Sequence, residues 1–375
     1  MEVSPTELST ELREAVRAWF RGVARDLPWR RERTAYRIWI SEIMLQQTQV
    51  ETVRPYFERF LASFPDPVAL AAAPEDEVMA HWAGLGYYSR ARNVIACARE
   101  LTRNYGGQLP DDAVLLRRLP GFGPYTAAAV GSLAFGLPLA AVDGNVARVL
   151  SRLLELEEDP ARPAVKARLQ QTADLLLDRR APGEWNEALM ELGATLCLPR
   201  RPRCGQCPLA LRCRSRAAGR QEELPRSRRR GPLAQRAVLV WAVRDEAGRW
   251  LARRRGDRGM LRGMWELPNE ESPLSAQASD QEVTVAWGRL DASVESLLAN
   301  GRGRPLPDGR ELRFRHSYSH FQARVLARLM HMADEPGPAG CQAGAGDDLR
   351  WLKTEEAEAL AFSARDRRIL EELAR

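Results

Sequence analysis

The sequence predicts an all-α domain followed by a smaller α+β domain. The 375 residues exceed what one ordinary hydrophobic core organises. From Thr6 to about Leu196, apolar residues recur at helical spacing between Pro, Gly and Asp breaks. After Arg236 the texture changes to short apolar runs around turns.

Taken in order, Trp39, Ile43, Val50, Val53, Phe57, Phe60 and Phe64 fall at three-, four- and seven-residue steps, the stripe of one helix face. The clusters "FPDP", "YGGQLPDD" and "FGLP" punctuate the helices that follow. A four-cysteine loop, 197–213, closes the first domain, 1–218. The polar, basic, proline-bearing segment 219–235 reads as a linker, leaving 236–375 as the second domain. There "RAVLVWAV" and "RWLARRR" flank the turn "RDEAG" as a hairpin. "ELRFRHSYSHFQARVLARLMHM" predicts two more strands, "LRWLKTEEAEAL" a strand leading into a helix, and "RDRRILEELAR" a closing helix.

A composition of 45% hydrophobic and 28% charged residues describes a globular chain. No apolar run reaches the roughly 18 residues of a membrane span. The opening "MEVSPTELSTELREAV" lacks the basic-then-apolar pattern of an export signal, so a cytoplasmic location and no membrane partner are expected. The net charge of +6 suits a polyanionic partner. That charge is almost entirely arginine; the lysines are Lys166 and Lys353.

Of six cysteines, Cys197, Cys204, Cys207 and Cys213 form the pattern C-x6-C-x2-C-x5-C. Four thiols so close together, in an arginine-rich segment, call for a metal. Zinc ribbons usually use two C-x2-C knuckles, and this loop has one; an iron–sulfur cubane accepts the unequal spacings. Cys97 and Cys341 stand alone and read as structural.

In "LPGFGPYTAAAV", Gly121 and Gly123 can adopt the positive φ of a tight turn, and Pro124 suits the first turn of a new helix. The N–H groups of such a turn suit a phosphate. Asp143, before Gly144 in "AVDGNVARVL", can cap the next helix. It also follows the apolar run "LPLAAV", and a partly buried carboxylate can face a developing positive charge. Glu42 lies in "WISEIMLQQTQV", with Gln46 and Gln49 expected on its face. Beside Trp39, Ile43 and Leu45 it would be desolvated, which raises a carboxyl pKa and improves a proton donor.

The strings "LPGFGPYTAAAV" and "VDGNVARVL", with the cysteine loop, resemble the helix-hairpin-helix DNA glycosylase superfamily. "LPWR", "WISEIMLQQTQVETVRPYFERF" and "GLGYYSRARN" resemble its MutY-type adenine DNA glycosylases. The resemblance covers the first domain nearly end to end and extends into the second. It implies a helix-hairpin-helix domain with a 4Fe-4S cluster on Cys197, Cys204, Cys207 and Cys213, then a Nudix-like domain. It further implies a monomeric, nucleoid-associated enzyme acting on double-stranded DNA with adenine opposite 8-oxoguanine or guanine. Glu42 would protonate the adenine and Asp143 would stabilise the sugar cation, with Tyr125 and Asn145 in support. Leu27, Trp29, Arg30, Val50 and Glu187 would wall the pocket for the extruded base, while Gln47, Thr48 and Tyr87 would contact the duplex around it. Strand-nicking relatives place a Schiff-base lysine just after the hairpin; here Tyr125 stands there, and neither lysine lies near a motif.

"GMLRGMWELP" resembles a Nudix fold, but the following "SPLSAQASDQEV" lacks the acidic series that would bind magnesium, so diphosphate hydrolysis is not expected. In "RHSYSHFQ" the resemblance assigns Tyr318, Ser319 and His320 to the lesion, with tyrosine where phenylalanine is common. An endonuclease III-like glycosylase/lyase is disfavoured by the missing hairpin lysine and the added domain. A non-catalytic lesion binder is disfavoured by intact Glu42 and Asp143.

Overall fold

The computed structural model describes residues 5–226, 231, 233–256, 259, 261–272, 285–290, 305–318, 321–332 and 349–374. Two units emerge, 1–72 with 92–229 and 73–91 with 230–375.

The first unit is helical: α1 (Pro5–Val23), α2 (Pro28–Arg31), α3 (Ala35–Leu45), α4 (Val50–Ser63) and α5 (Pro67–Ala72). The segment 73–91, which holds α6 (Glu75–Trp82), belongs to the other unit, where Arg254 pairs with Asp76 at 2.8 Å. The first unit resumes at residue 92, within α7 (Ser89–Asn104), and continues through α8 (Ala113–Arg118), α9 (Pro124–Phe135), α10 (Gly144–Leu154), α11 (Pro163–Leu176), α12 (Pro182–Thr195) and the short α13 (Arg214–Ala217).

Local chemistry sets many of these boundaries. Thr34 caps α3 through the Arg37 N–H, and Asp112 caps α8 through Val114 and Leu115. Prolines open α9, α11 and α12, where no amide hydrogen is needed. Leu12, Val16 and Phe20 of α1 form an apolar stripe that shares a core with α10, α11 and α12.

The stripe from Trp39 to Phe64, expected on one helix, is divided between two. α3 ends at Leu45, and Gln47 takes φ 57°, a left-handed conformation that no helix interior holds. Gln49 becomes the residue before α4 and does not share a face with Glu42. The period survived because α3 and α4 both bury their apolar sides.

The second unit is a mixed sheet with β1 (Ala234–Arg244), β2 (Trp250–Arg254), β3 (Trp265–Glu266), β4 (Asn269–Ser272), β5 (Pro305–Ser317), β6 (Phe321–Met332) and β7 (Leu349–Leu352). A helix, α14, spans 285–290; α15 (Thr354–Ala359) and α16 (Ala364–Leu373) follow β7. The central order is β3-β2-β1-β6-β5, with β4 pairing β1 and β7 pairing β2. The β1–β2 and β5–β6 hairpins, the β7-to-helix step and the closing helix stand as the sequence predicts. β1 also runs parallel to β6 along its whole length, and β5 starts at Pro305 with an irregularity between Pro307 and Glu311. One sheet face packs with α15 and α16, the other with Ala286, Trp287 and Leu290 of α14.

Candidate active site

Four elements of the first unit converge on a cleft of roughly 1400 Å³. Glu42 reaches it from α3, Tyr125 from the start of α9, Asp143 from the cap of α10 and Glu187 from α12. The break between α3 and α4 supplies another wall, Gln46 to Val50, and α2 supplies Trp29 and Arg30 behind Leu27. The split of the predicted long helix is therefore what gives the cleft that side.

The hairpin turn forms the rim. Gly121 takes φ +79°, and a Cβ there would come within 2.8 Å of Asn93 Cβ, so glycine is required twice over. Gly123 does not share the positive φ expected of it. It is extended (φ −80°, ψ 177°) and serves as the cap residue before Pro124, with open space where a Cβ would stand. Its contribution is bare backbone at a helix start, which suits the close approach of an anion.

Glu42 is 6% exposed and accepts a 2.7 Å hydrogen bond at Oε2 from the Tyr125 hydroxyl. Burial pushes its carboxyl up to about 7; the tyrosine bond pulls down, while Asp143 and Glu187 push further up. The same burial, together with Glu42 and Asp143, holds Tyr125 far above the ordinary phenol range, so it stays a neutral donor. Tyr125 also meets Met190 Sδ at 3.4 Å.

Asp143 caps α10 by accepting the Val146 N–H at 2.7 Å on Oδ1. Oδ2 accepts the Asn145 side-chain amide at 3.0 Å. Burial raises its pKa, opposed by those donors. Asn145 in turn accepts from Arg148 at 2.9 Å, and Arg148 donates to the carbonyls of Gly193 and Cys197, both at 2.7 Å. Gly193 makes this approach feasible, since a Cβ there would stand 2.7 Å from Asn145 Cβ. A continuous line of hydrogen bonds thus links the cysteine loop to Asp143.

Arg30 bridges Glu187 (3.3 Å) and Glu191 (3.0 Å), with Arg33 also on Glu187 and Arg25 on Glu191. Burial alone would raise Glu191, but Arg25 and Arg30 outweigh it and draw its pKa down. These acids are charge-paired, whereas among the described residues Glu42 forms no ion pair.

Of the residues expected around the base, Leu27, Trp29, Arg30, Gln47, Thr48, Val50 and Glu187 line this cleft. Tyr87 does not. It lies in the segment 73–91, is 42% exposed at φ 50°, and carries the Arg90 guanidinium over its ring. Lys166, expected to be remote from every motif, lines the cleft from α11, because the α10–α11 turn folds that helix back beside Asp143's wall. Sequence reasoning also missed Arg148, Arg152 and Glu191. The i, i+4 arginine pair on the helix capped by Asp143 was the available signal.

In the second unit, Tyr318 packs inward: its ring stacks on Phe321 at 4.6 Å and meets His316 edge-on at 4.6 Å. Its backbone N–H donates to Phe321 O at 2.9 Å, closing the β5–β6 turn. Ser319 and His320 lie outside the described residues, as does Cys341.

Cys197, Cys204, Cys207 and Cys213 are all partly buried on one loop. Among the described residues, no three His, Cys, Asp or Glu side chains are drawn together tightly enough for a single ion, these four included. The loop nevertheless fits a thiolate-bound group. The sulfur of Cys197 takes an Arg152 N–H at 3.3 Å, and the Cys213 thiol donates to the Arg152 carbonyl at 3.4 Å. Burial pushes the Cys207 thiol up to about 11, so loading the loop must displace protons.

No helix among the described residues is long and apolar enough to cross a membrane.

Residues 40–174 match the HhH-GPD superfamily of base excision DNA repair proteins, and 239–372 match the NUDIX domain. The chain is 32% identical to the Mus musculus adenine DNA glycosylase, over 92% of this chain and 75% of that protein. It is 36% identical to the Mycolicibacterium smegmatis adenine DNA glycosylase, over 83% of this chain and 96% of that one. The Homo sapiens adenine DNA glycosylase is 46% identical over 57% of this chain, a match spanning only 41% of the human protein. Among solved structures, a thermostable thymine-DNA glycosylase aligns with a TM-score of 0.52 at 27% identity, over 58% of this chain and 100% of that one. Endonuclease III in a trapped covalent DNA intermediate aligns with a TM-score of 0.50 at 25% identity, over 58% and 99%. With relatives of this similarity matched across both domains, the chain belongs to the adenine DNA glycosylase family.

Proposed function

We propose that this chain is a base-excision repair enzyme that hydrolyses the N-glycosidic bond of adenine paired with 8-oxoguanine or guanine in double-stranded DNA. The observation that carries the reading is the unequal treatment of two carboxyls in one cleft. Glu42 is raised to about 7 with a neutral tyrosine hydroxyl as its hydrogen-bond partner, while Asp143 is pinned by the Asn145 side-chain amide and the Val146 backbone N–H.

In this mechanism Glu42, protonated near neutral pH, gives its proton to a ring nitrogen of the extruded adenine, which leaves as a neutral base. The electrons of the C1′–N bond depart with the base, and the sugar passes through an oxocarbenium-like state. Asp143, its lone pairs oriented by Val146 N–H and Asn145, faces that positive charge. Water then bonds to C1′ and its proton returns to a carboxylate. Leu27, Trp29, Val50 and the Arg30–Glu187 pair wall the base, Gln47 and Thr48 contact the duplex beside it, and Gly121 and Gly123 hold a phosphate. Tyr87, exposed on its own turn, contacts the duplex by its ring. Tyr318 anchors the end of β5 through Phe321, and the lesion contact is assigned to Ser319 and His320, which follow it in the sequence.

Cys197, Cys204, Cys207 and Cys213 hold a 4Fe-4S cluster. When bound, it supplies a covalent cross-link and fixed charge to the loop.

Tyr125 occupies the place of the lyase lysine, so the enzyme is read as monofunctional. Because Lys166 lines the cleft, strand cleavage through an amine is the competing reading. Single-turnover assays on duplexes with adenine opposite 8-oxoguanine, G or T, with and without alkali, test both. Scission of the adenine strand only after alkali supports hydrolysis alone; scission without alkali, lost in Lys166→Ala, favours the other reading. Equal rates opposite T and 8-oxoguanine would remove the specificity.

A further inference from the structure

Arg152, on α10, is an arginine at 2% exposure, and among the described residues it forms no ion pair with a carboxylate. A guanidinium buried without a counter-charge is strongly unfavourable. Its donors go elsewhere. Nε donates to Leu224 O at 2.7 Å, Nη2 to Pro199 O at 3.1 Å, and Nη1 to both Leu198 O at 2.7 Å and Cys197 Sγ at 3.3 Å. The Cys213 thiol donates back to Arg152 O at 3.4 Å. One side chain therefore grips the chain where it enters the cysteine loop, and a segment beyond the loop's exit at Leu224.

A second observation points to the same place. Ser215, two residues after Cys213, is fully buried, and its hydroxyl has no partner among the described residues. A buried hydroxyl without a partner is costly, and a sulfur anion beside it would satisfy it. Four thiolates around a divalent core carry two surplus negative charges. Arg152 and Arg148 are two buried or half-buried guanidiniums beside them, Arg148 reaching Cys197 through its carbonyl.

We propose that Arg152 is a positioning residue for the group bound by the four cysteines. Its hydrogen bond to the Cys197 sulfur sets how easily that group is reduced, and its grip on both sides of the loop sets how long the group is retained. Ser215 adds a weaker donor of the same kind. The proposal rests on the iron–sulfur reading above. Donors to ligand sulfurs and nearby positive charge stabilise the reduced, more negative state of such clusters.

The test compares the full-length parent chain with Arg152→Met, Arg152→Lys and Ser215→Ala, all reconstituted anaerobically. Iron content, visible absorption, the reduction potential from an EPR-monitored titration, and iron release to a chelator are measured. Arg152→Met shifts the potential to more negative values and releases iron about tenfold faster or more. Arg152→Lys keeps the charge but not the planar fork, so its potential stays nearer the parent while release remains fast. Ser215→Ala shows a smaller negative shift. A fully loaded Arg152→Met with parental potential and parental release overturns the proposal. If that variant does not fold, parental values in both Arg152→Lys and Ser215→Ala overturn it. A parent that is colourless and holds zinc defeats the iron–sulfur reading itself, whereas a brown, iron-loaded parent with unmoved variants defeats the proposal alone.

Discussion

Glu42 in the helical unit and Glu266 in the sheet unit are both buried, at 6% and 2% exposure, yet their carboxyls are driven in opposite directions. Burial would raise both. Around Glu266 that effect is overturned by Arg255, Asn269 and Arg253, with Arg253 at 2.8 Å and Arg255 at 2.5 Å, and its pKa falls. Around Glu42 the nearest partner is a neutral hydroxyl, and the pKa climbs to about 7. A buried carboxylate with guanidiniums on both oxygens is part of the framework. One left with a tyrosine, opening on a cleft, is poised to hold and give up a proton. Glu191, lining the same cleft as Glu42, repeats the first pattern through Arg25 and Arg30, so the distinction is made even within one unit.

The comparison can be broken by substitution. Asp143→Asn has the largest expected effect, lowering adenine release roughly 10³-fold or more in single-turnover kinetics while duplex binding persists. Parental release by that variant would end the proposed mechanism. Glu42→Gln should cost about 10²- to 10³-fold through loss of the acid. The same exchange at Glu266 should do the reverse: the chemical step is unchanged, but the sheet unit loses about 3–5 kcal/mol in denaturant unfolding, because Arg253 and Arg255 are left without their anion. A Glu266→Gln chain with parental stability would show that pairing with Arg253 and Arg255 does not make Glu266 part of the framework.

Two pH experiments sharpen it further. With an acid at about 7, release should fall above neutral pH, approaching tenfold per unit. Tyr125→Phe removes the hydrogen bond that lowers Glu42, so the fall moves to higher pH; a move to lower pH would contradict the assignment. The smallest effect is on stability. Folded Glu42 binds its proton more tightly than the unfolded chain does, so its contribution is intact below the ordinary value of 4.5 and is lost as pH rises through about 7. Glu42→Gln should therefore raise the unfolding temperature at about pH 8 more than at about pH 4.

Several of these features were legible before any fold was known. Asp143 reads as a cap and Pro124 as a first-turn residue. The β1–β2 and β5–β6 hairpins follow from alternation around turn residues. Each of these is a signal spanning a few residues. The break at Gln47 was hidden because α3 and α4 continue a common apolar period across it. The extended Gly123 was hidden because glycine permits either conformation. Lys166 looked remote because its distance from Asp143 along the chain is no guide once α11 folds back over the same cleft.

By itself, the chain determined its helical and sheet halves and its caps, since caps, prolines and side-chain periods act through contacts between near neighbours. Tertiary structure alone decided that Glu42 meets a tyrosine hydroxyl while Glu187, Glu191 and Glu266 each pair with two guanidiniums or more, and that Arg152 spends its donors on a sulfur and three carbonyls. The physical reason is that burial and charge pairing depend on which distant surfaces meet, and Glu42 and Tyr125, separated by 83 in sequence, share no local pattern that records their contact.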